Sequence, residues 1–521
     1  MTTERRPRSP AAGAVKADKT SVEYPLRAPH SGQPVTIVHL AAELAPYART
    51  GGLGEAVSSL AHAQARTGLT VFILMPLYAQ ARAVAPNLEP VGEPFTVRVG
   101  PRLEEVRLLE EPARGGTRAQ LPRILFVDHP ASFDRPHIYG DARGDYPDNH
   151  LRFAVFCAAA LEALPQLTAA PVIVHAHDWH TALAPIYLRT TDGGPGREFY
   201  RQVSSVLTVH NAGFQGHFSP DVLPDLGLSY DLYNLHQLEW YGRVNLLKGG
   251  LAFADAVTTV SPSHAHELRT PAGGFGLHDT FIALRERFIG ILNGIDQQEW
   301  NPETDKLITA RYSRDDLSGK KKCKAALQRL FGMPQRARTP IFGMSARMVY
   351  QKGLDLILGS PRFLSLDAQF LFLGQGERRY IDLLTELSRR APGRIGVQTN
   401  FSTKLEHRLM AGADLIIMPS QYEPCGLTQM RAQRYGALPV ARRVGGLADT
   451  IEDGVTGFLF DAFATDEFLG ACVRAIDHYQ HPEVWEDMQR EAMSRDFGWE
   501  RSEQRYLDVY RRVLASPRTP R

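Results

Sequence analysis

Two doubly wound α/β domains facing each other across a crevice are the architecture this sequence predicts. Three observations carry that expectation. The chain has 521 residues, more than one hydrophobic core ordinarily serves. Short apolar, β-branched runs alternate with helical stretches, the pattern of parallel strands buried on both faces. The alternation also falls into two series, separated by a polar stretch at about 297–338, which puts the boundary near residue 300.

Order is expected from about residue 34. Residues 1–33 are rich in Arg, Pro, Ser and Ala, and no apolar segment follows Arg5 and Arg6, so they read as a disordered tail rather than an export signal. The run Val35 to Leu40 ends in a glycine-rich turn. A helical stretch over about 55–66 and the run Thr70 to Met75 complete a strand–helix–strand unit. Runs beginning at Arg123, Val172, Ser204, Ala256 and Phe288, with a helix near 150–164, extend the first series. The second comprises runs beginning at Pro340, Gln369, Asp414 and Leu438. Between the series, Lys320, Lys321, Lys322 and Lys324 read as a solvated helix face. Tyr506, Tyr510, Val513 and Leu514 share a helical spacing, and that last helix needs an apolar partner, for which the larger first domain is the candidate.

Composition narrows the function classes. Hydrophobic residues are 43% and charged residues 22%, a globular balance. Lys and Arg total 59 against 57 Asp and Glu, a formal charge of +2 without the basic excess of a nucleic-acid protein. No apolar stretch approaches the ~20 residues of a membrane span. Cys157, Cys323, Cys425 and Cys472 lie far apart with no CxxC spacing, which excludes a finger-type zinc site and reads as reduced, mostly buried thiols of a cytoplasmic protein.

Ligands of open α/β sheets bind beyond the carboxyl ends of the strands, so chemistry is sought in the loops that follow them. The first loop holds Arg49, Gly51 and Gly52 ahead of a helix: either an ordinary tight turn or a close approach to an anion. No acidic residue ends the second strand, as a dinucleotide site would want. In the second loop, His175-Ala176-His177-Asp178-Trp179-His180, strand and loop geometry is expected to scatter the histidines, which disfavours a metal site. A sugar-binding rim with Trp179 as platform and a hydrogen-bonded structural cluster both remain. His210 and Asn211 follow the next strand, where His210 is as fitted to catalysis as to a core role. In the second domain, Arg347 and Lys352 offer a planar fork and a point charge at a spacing suited to a diphosphate. Gly374-Gln375-Gly376 is an ordinary turn or a place of close ligand approach. The segment Tyr422-Glu423-Pro424-Cys425-Gly426-Leu427-Thr428 would project Glu423 into the crevice and open a helix with free N–H groups at Gly426, Leu427 and Thr428. Cys425 reads as a small buried hydrophobe, not a nucleophile.

Together these loops resemble the bacterial glycogen synthases and plant starch synthases, glycosyltransferase family 5. The matching motifs are TGGLGE (50–55), HAHDWH (175–180), VTTVSP (257–262), LNGID (292–296), QKGLDL (351–356) and EPCGLTQ (423–429), in the right order between Val35 and Val513. The resemblance implies two Rossmann-like domains in the GT-B arrangement: an acceptor-side domain over 34–296, a nucleotide-sugar domain over 297–496, and a helix at 497–515 crossing back to the first. It implies transfer of glucose from ADP-glucose to the 4-hydroxyl at the non-reducing end of an α-1,4-glucan, with retention and without metal or other cofactor. Arg347 and Lys352 would then hold the diphosphate, Glu423 the donor glucose hydroxyls, and His210 would sit beside the sugar. Asp178 and Asn293 would lie near donor or acceptor glucose, and Arg49, Gly51, Gly52, Gly374, Tyr422, Cys425, Gly426, Leu427 and Thr428 would complete the donor site.

The chain departs from the family pattern at two positions, and a third differs from related transferases. Arg49 stands where the family's KxGGL motif begins with Lys, Glu55 where Asp is usual, and Arg431 where related transferases carry the second carboxylate of E-x7-E, a carboxylate this family commonly lacks. Arg keeps the charge of Lys but not its shape, which leaves open a preference for UDP-glucose or a non-catalytic glucan-binding role.

Overall fold

The computed structural model describes residues 26–112, 120–141, 143–169, 171–190 and 197–516. Strand formation follows the apolar runs. In the first unit, parallel strands lie in the order Phe288–Gly290, Ala256–Thr259, Val203–Val209, Val172–His177, Thr36–Leu40, Thr70–Pro76 and Arg123–Asp128. In the second, the order is Ile395–Gln398, Gln369–Leu373, Ile341–Ser345, Leu415–Met418, Leu438–Arg442 and Phe458–Phe460, all parallel. Most of these strands are buried along their whole length because helices cover both faces.

The structure adds elements that the apolar runs do not announce. Phe95–Val99 and Arg102–Glu110 form an antiparallel hairpin that extends the first sheet beyond Arg123–Asp128. The strands Ile395–Gln398 and Phe458–Phe460 edge the second sheet. Part of the expected tail is also placed. Residues 1–25 lie outside the described residues, but Leu26 is buried in the first core and its carbonyl accepts the Val35 N–H at 2.9 Å.

The lysine-rich helix is a correction. In Ser318–Leu330, Lys321 and Lys322 are exposed, whereas Lys320 and Lys324 are buried. The Lys320 ammonium donates to the carbonyls of Ala411, Ala413 and Tyr435 at 2.9–3.2 Å, where the helices Thr403–Gly412 and Thr428–Arg434 both end. Lys324 pairs with Asp414 at 2.7 Å. A lysine aimed at a carbonyl-rich helix end belongs inside.

The last helix, Trp499–Ala515, packs on the first unit. Tyr506, Leu507, Val509, Tyr510 and Val513 join its core, and the Gln64 amide donates to the Tyr510 hydroxyl at 3.0 Å. Direct contacts also join the two units: Ser261 donates to the Pro424 carbonyl and Ser263 to Asp449, each at 2.7 Å, and the Gly445 N–H donates to Glu267. The carboxyl ends of both sheets thereby face one crevice.

Candidate active site

The second unit brings the cations and the carboxylate together. Lys352 follows Ile341–Ser345 and Glu423 follows Leu415–Met418, neighbouring strands in the sheet. Gly353 sits at φ +75°, and a Cβ there would lie 1.9 Å from the Pro419 carbonyl, so only glycine lets the two loops close. The Lys352 ammonium donates to Glu423 Oε2 at 2.6 Å, and Ser420 donates to the same oxygen at 3.0 Å. Arg347 on the same loop is exposed. Gly374 brings its own loop equally close, since a Cβ there would lie 1.9 Å from the Ala346 carbonyl.

Around Glu423 the chain turns at Gly426, and the helix begins at Thr428 with Leu427 as its cap, two residues later than expected. The Tyr422 ring meets Phe275 of the first unit edge-on at 5.0 Å, and its hydroxyl meets the Asn211 side chain. Burial raises the Tyr422 phenol above its ordinary range, opposed by Asn211 and by the charge of Arg347. Cys425 is buried and burial pushes its thiol up to about 12, which suits packing and not nucleophilic attack. Asn293 is also buried, in the segment joining the units, with its N–H near the Cys425 thiol.

In the first unit the glycine loop is organised by a residue that the motifs do not single out. Glu43, 4% exposed, accepts from the Thr50 N–H, the Thr50 hydroxyl, the Gly51 N–H and the Tyr139 hydroxyl at 2.7–3.2 Å. No atom lies within 4 Å of where a Cβ would stand at Gly51 or Gly52, so this loop leaves room for a ligand. Arg49 lies 3.9 Å from Glu55, whose other oxygen accepts from Arg431 of the second unit. Arg431 also donates to Glu406 at 3.2 Å and lies over the Trp300 ring at 4.2 Å. Both departures from the family pattern, Arg49 and Glu55, therefore meet Arg431 in one interdomain cluster, at the wall of a cavity of about 520 Å³.

The histidine-rich loop corrects two expectations. Trp179 is 7% exposed and lies face-on to Gly216, between Phe153 and Phe218, so it is a packing residue and not a platform. The histidines are not scattered. His175 and His177, two apart on one strand, share a sheet face with His39 of the neighbouring strand, and their rings lie 4.3–5.3 Å apart. Asp178, at φ +59°, turns its carboxylate back to accept the N–H groups of His210 at 2.6 Å and Asn211 at 3.3 Å. Burial pushes that carboxyl up to about 7 against those two hydrogen bonds. Asp178 thus shapes the loop that presents His210, a half-buried residue whose imidazole is held down to about 3 by burial.

Comparison with known proteins gives the family. Residues 36–283 match the starch synthase catalytic domain family, and residues 333–492 match the family described as glycosyl transferases group 1. A glycogen synthase of Myxococcus xanthus is 40% identical, covering 92% of this chain and 100% of its own length. The chain belongs to the glycogen and starch synthase family. A glycogen synthase from Anaeromyxobacter is 41% identical, covering 92% of this chain and 99% of its own length. The catalytic domain of starch synthase IV from Arabidopsis thaliana, solved with ADP and acarbose, superposes with a TM-score of 0.82 at 33% identity, covering 92% of this chain and 99% of that one. The chain is a glycosyltransferase with the two-domain GT-B fold. Among the described residues, no helix is long and apolar enough to cross a membrane.

Proposed function

We propose that this glycosyltransferase moves glucose from ADP-glucose to the non-reducing 4-hydroxyl of an α-1,4-glucan, with retention, in the cytoplasm. The observation that carries the reading is the Lys352–Glu423 pair beside exposed Arg347, with neighbouring Tyr422 reaching across to Asn211, the residue after His210. ADP in the Arabidopsis relative supports an adenine nucleotide donor. Arg347 and Lys352 bind the diphosphate, which draws Lys352 from Glu423 and frees that carboxylate to accept hydrogen bonds from glucose hydroxyls. Gly374, Gly426, Leu427 and Thr428 line the donor site through their backbone, with Tyr422 closing it towards the first unit.

The acceptor 4-hydroxyl attacks the anomeric carbon from the face the diphosphate leaves. The new C–O bond forms as the bond to phosphate breaks, and the hydroxyl proton passes to the departing phosphate oxygen. The protein's contribution is electrostatic: cations already in place where negative charge accumulates, in a crevice that excludes water. The test is ADP release from purified protein given glycogen and either ADP-glucose or UDP-glucose, with and without EDTA. Transfer from ADP-glucose, unchanged by EDTA, is expected. Faster transfer from UDP-glucose would overturn the donor assignment, and no transfer from either would leave a glucan-binding protein.

A further inference from the structure

The three histidines His39, His175 and His177 offer ring nitrogens within 4.8 Å of one another, a spacing a metal ion could use. Every one of those nitrogens is already engaged. His39 Nε2 meets Gln64 Oε1 at 2.8 Å and His39 Nδ1 meets His177 Nε2 at 3.0 Å. His177 Nδ1 meets His210 Nε2 at 3.0 Å. His175 is held separately, between the Tyr510 hydroxyl at 2.7 Å and the Thr208 hydroxyl at 2.6 Å. A metal would break this set without replacing its partners, whereas hydrogen bonding satisfies all of it.

We propose that Gln64, His39 and His177 form a buried relay that fixes His210 as its Nε2–H tautomer, presenting Nδ1 to the crevice as a hydrogen-bond acceptor for a sugar hydroxyl. The argument is one of direction. A neutral imidazole has one donor and one acceptor, so a chain of them has a single polarity set by its end group. Burial keeps the rings neutral, with His39 held down to about 4, His210 to about 3 and His177 well below its ordinary range. The end group is the Gln64 amide, which donates from Nε2 to the Tyr510 hydroxyl and so turns Oε1 towards His39. Tyr510, having accepted that bond, donates to His175 Nδ1, and His175 Nε2–H donates to Thr208. From Oε1 inward, His39 donates through Nε2 and accepts at Nδ1, and His177 repeats the pattern. The proton between His177 and His210 therefore belongs to His210 Nε2. His210 Nδ1 has no partner among the described residues, and the residue is only partly buried. An acceptor at that position complements a hydroxyl proton, and the opposite tautomer would present a second donor instead.

Gln64, His39 and His177 are thus positioning residues, reaching the sugar only through His210, and the proposal rests on the reading of His210 as a donor-site residue. Two measurements test it. The first is nitrogen-15 NMR of the whole protein with labelled histidine, His210 being assigned by its loss in His210→Ala. Pyrrole-type Nε2 and pyridine-type Nδ1 are expected for His39, His177 and His210. A protonated Nδ1 on His210 would mean the chain runs the other way and would overturn the proposal whatever the activity. The second is steady-state kinetics of Gln64→Met, which removes the end group, and Gln64→Glu, which restores an acceptor facing His39. Gln64→Met should lower kcat about 10–100-fold with a smaller change in donor KM, and Gln64→Glu should recover most of that loss. Equal losses in both variants, or none in Gln64→Met, would overturn the relay. His210→Ala as active as wild type would instead remove His210 from the site, and with it the reading beneath the proposal.

Discussion

Arg431→Met is the perturbation with the largest expected consequence for stability. The guanidinium is 8% exposed, with the Glu406 carboxylate at 3.2 Å on one side and Glu55 of the other unit in hydrogen-bond contact on the other. Burial alone would lower its pKa, yet the two carboxylates outweigh that and raise it, so the side chain is firmly cationic. At an effective dielectric of about 20, each contact is a gross attraction of about 5 kcal/mol, most of it offset by desolvation of the three charges. Removing the cation leaves the buried Glu406 carboxylate without its ionic partner and Glu55 with only the more distant Arg49, for which a net cost of about 3–5 kcal/mol is expected. For a unit of this size that corresponds to a fall in melting temperature of roughly 6–20 °C. Calorimetry on Arg431→Met, Glu55→Gln and the double variant at pH 7 reads both the fall and the coupling. The double variant should be less destabilised than the sum of the singles by at least about 1 kcal/mol. An Arg431→Met protein melting within about 2 °C of wild type, with additive effects, would refute the claim that this cluster clamps the units together.

Four further outcomes follow from the same geometry. Arg347→Ala and Lys352→Ala should each slow transfer by roughly 10²-fold or more in the coupled ADP-release assay, and wild-type rates in both would remove the diphosphate assignment. Glu423→Gln keeps size while weakening hydrogen bonds to Lys352 and Ser420, so kcat should fall while the melting temperature moves little; a large drop in melting would make the residue structural. Arg49→Lys should retain partial activity, and Arg49→Ala should lose most of it together with donor affinity by titration; an unaffected Arg49→Ala would make Arg49 only an outer partner of Glu55. Burial raises the Glu503 carboxyl to about 7, so its contribution to stability is present below about pH 4.5 and is lost as pH rises through 7. Glu503→Gln should therefore melt higher than wild type at pH 8 and lose that advantage near pH 4, and no difference at pH 8 would contradict the raised value.

Legibility in the sequence followed the physics of each element. Strands buried on both faces are continuous apolar runs, so the main strands of both sheets could be read directly. The hairpin Arg102–Glu110 carries Glu104, Glu105 and Arg107 on a half-exposed strand and reads as surface. Post-strand loops with Gly, Glu and cations marked the crevice because those residue types have few other uses at strand ends. Glu43 escaped because its function is to gather N–H and hydroxyl groups from Thr50, Gly51 and Tyr139, a convergence no spacing displays. His39 in an apolar strand and Gln64 on a buried helix face were the available signals of an internal polar chain. Their meaning depends on Tyr510, 446 residues beyond Gln64. Trp179 misled because its cover is Gly216, and a glycine under a ring leaves no trace in a hydropathy pattern.

The return of Trp499–Ala515 to the first unit has a consequence for biosynthesis. Translation delivers the strands from Thr36 to Gly290 early, but the helix that supplies Tyr506, Leu507 and Tyr510 to their core is made last. At about 5–20 residues per second, the nascent first unit waits roughly 10–45 s for its missing piece while the second is synthesised. Until then Gln64 lacks the hydroxyl that orients it, and His175 lacks one of its two partners. A ribosome that stops between Phe460 and Trp499 therefore releases a protein whose second unit holds every strand of its sheet, yet whose histidine chain has no terminus. Completion of the crevice therefore waits until Trp499–Ala515 has left the ribosome.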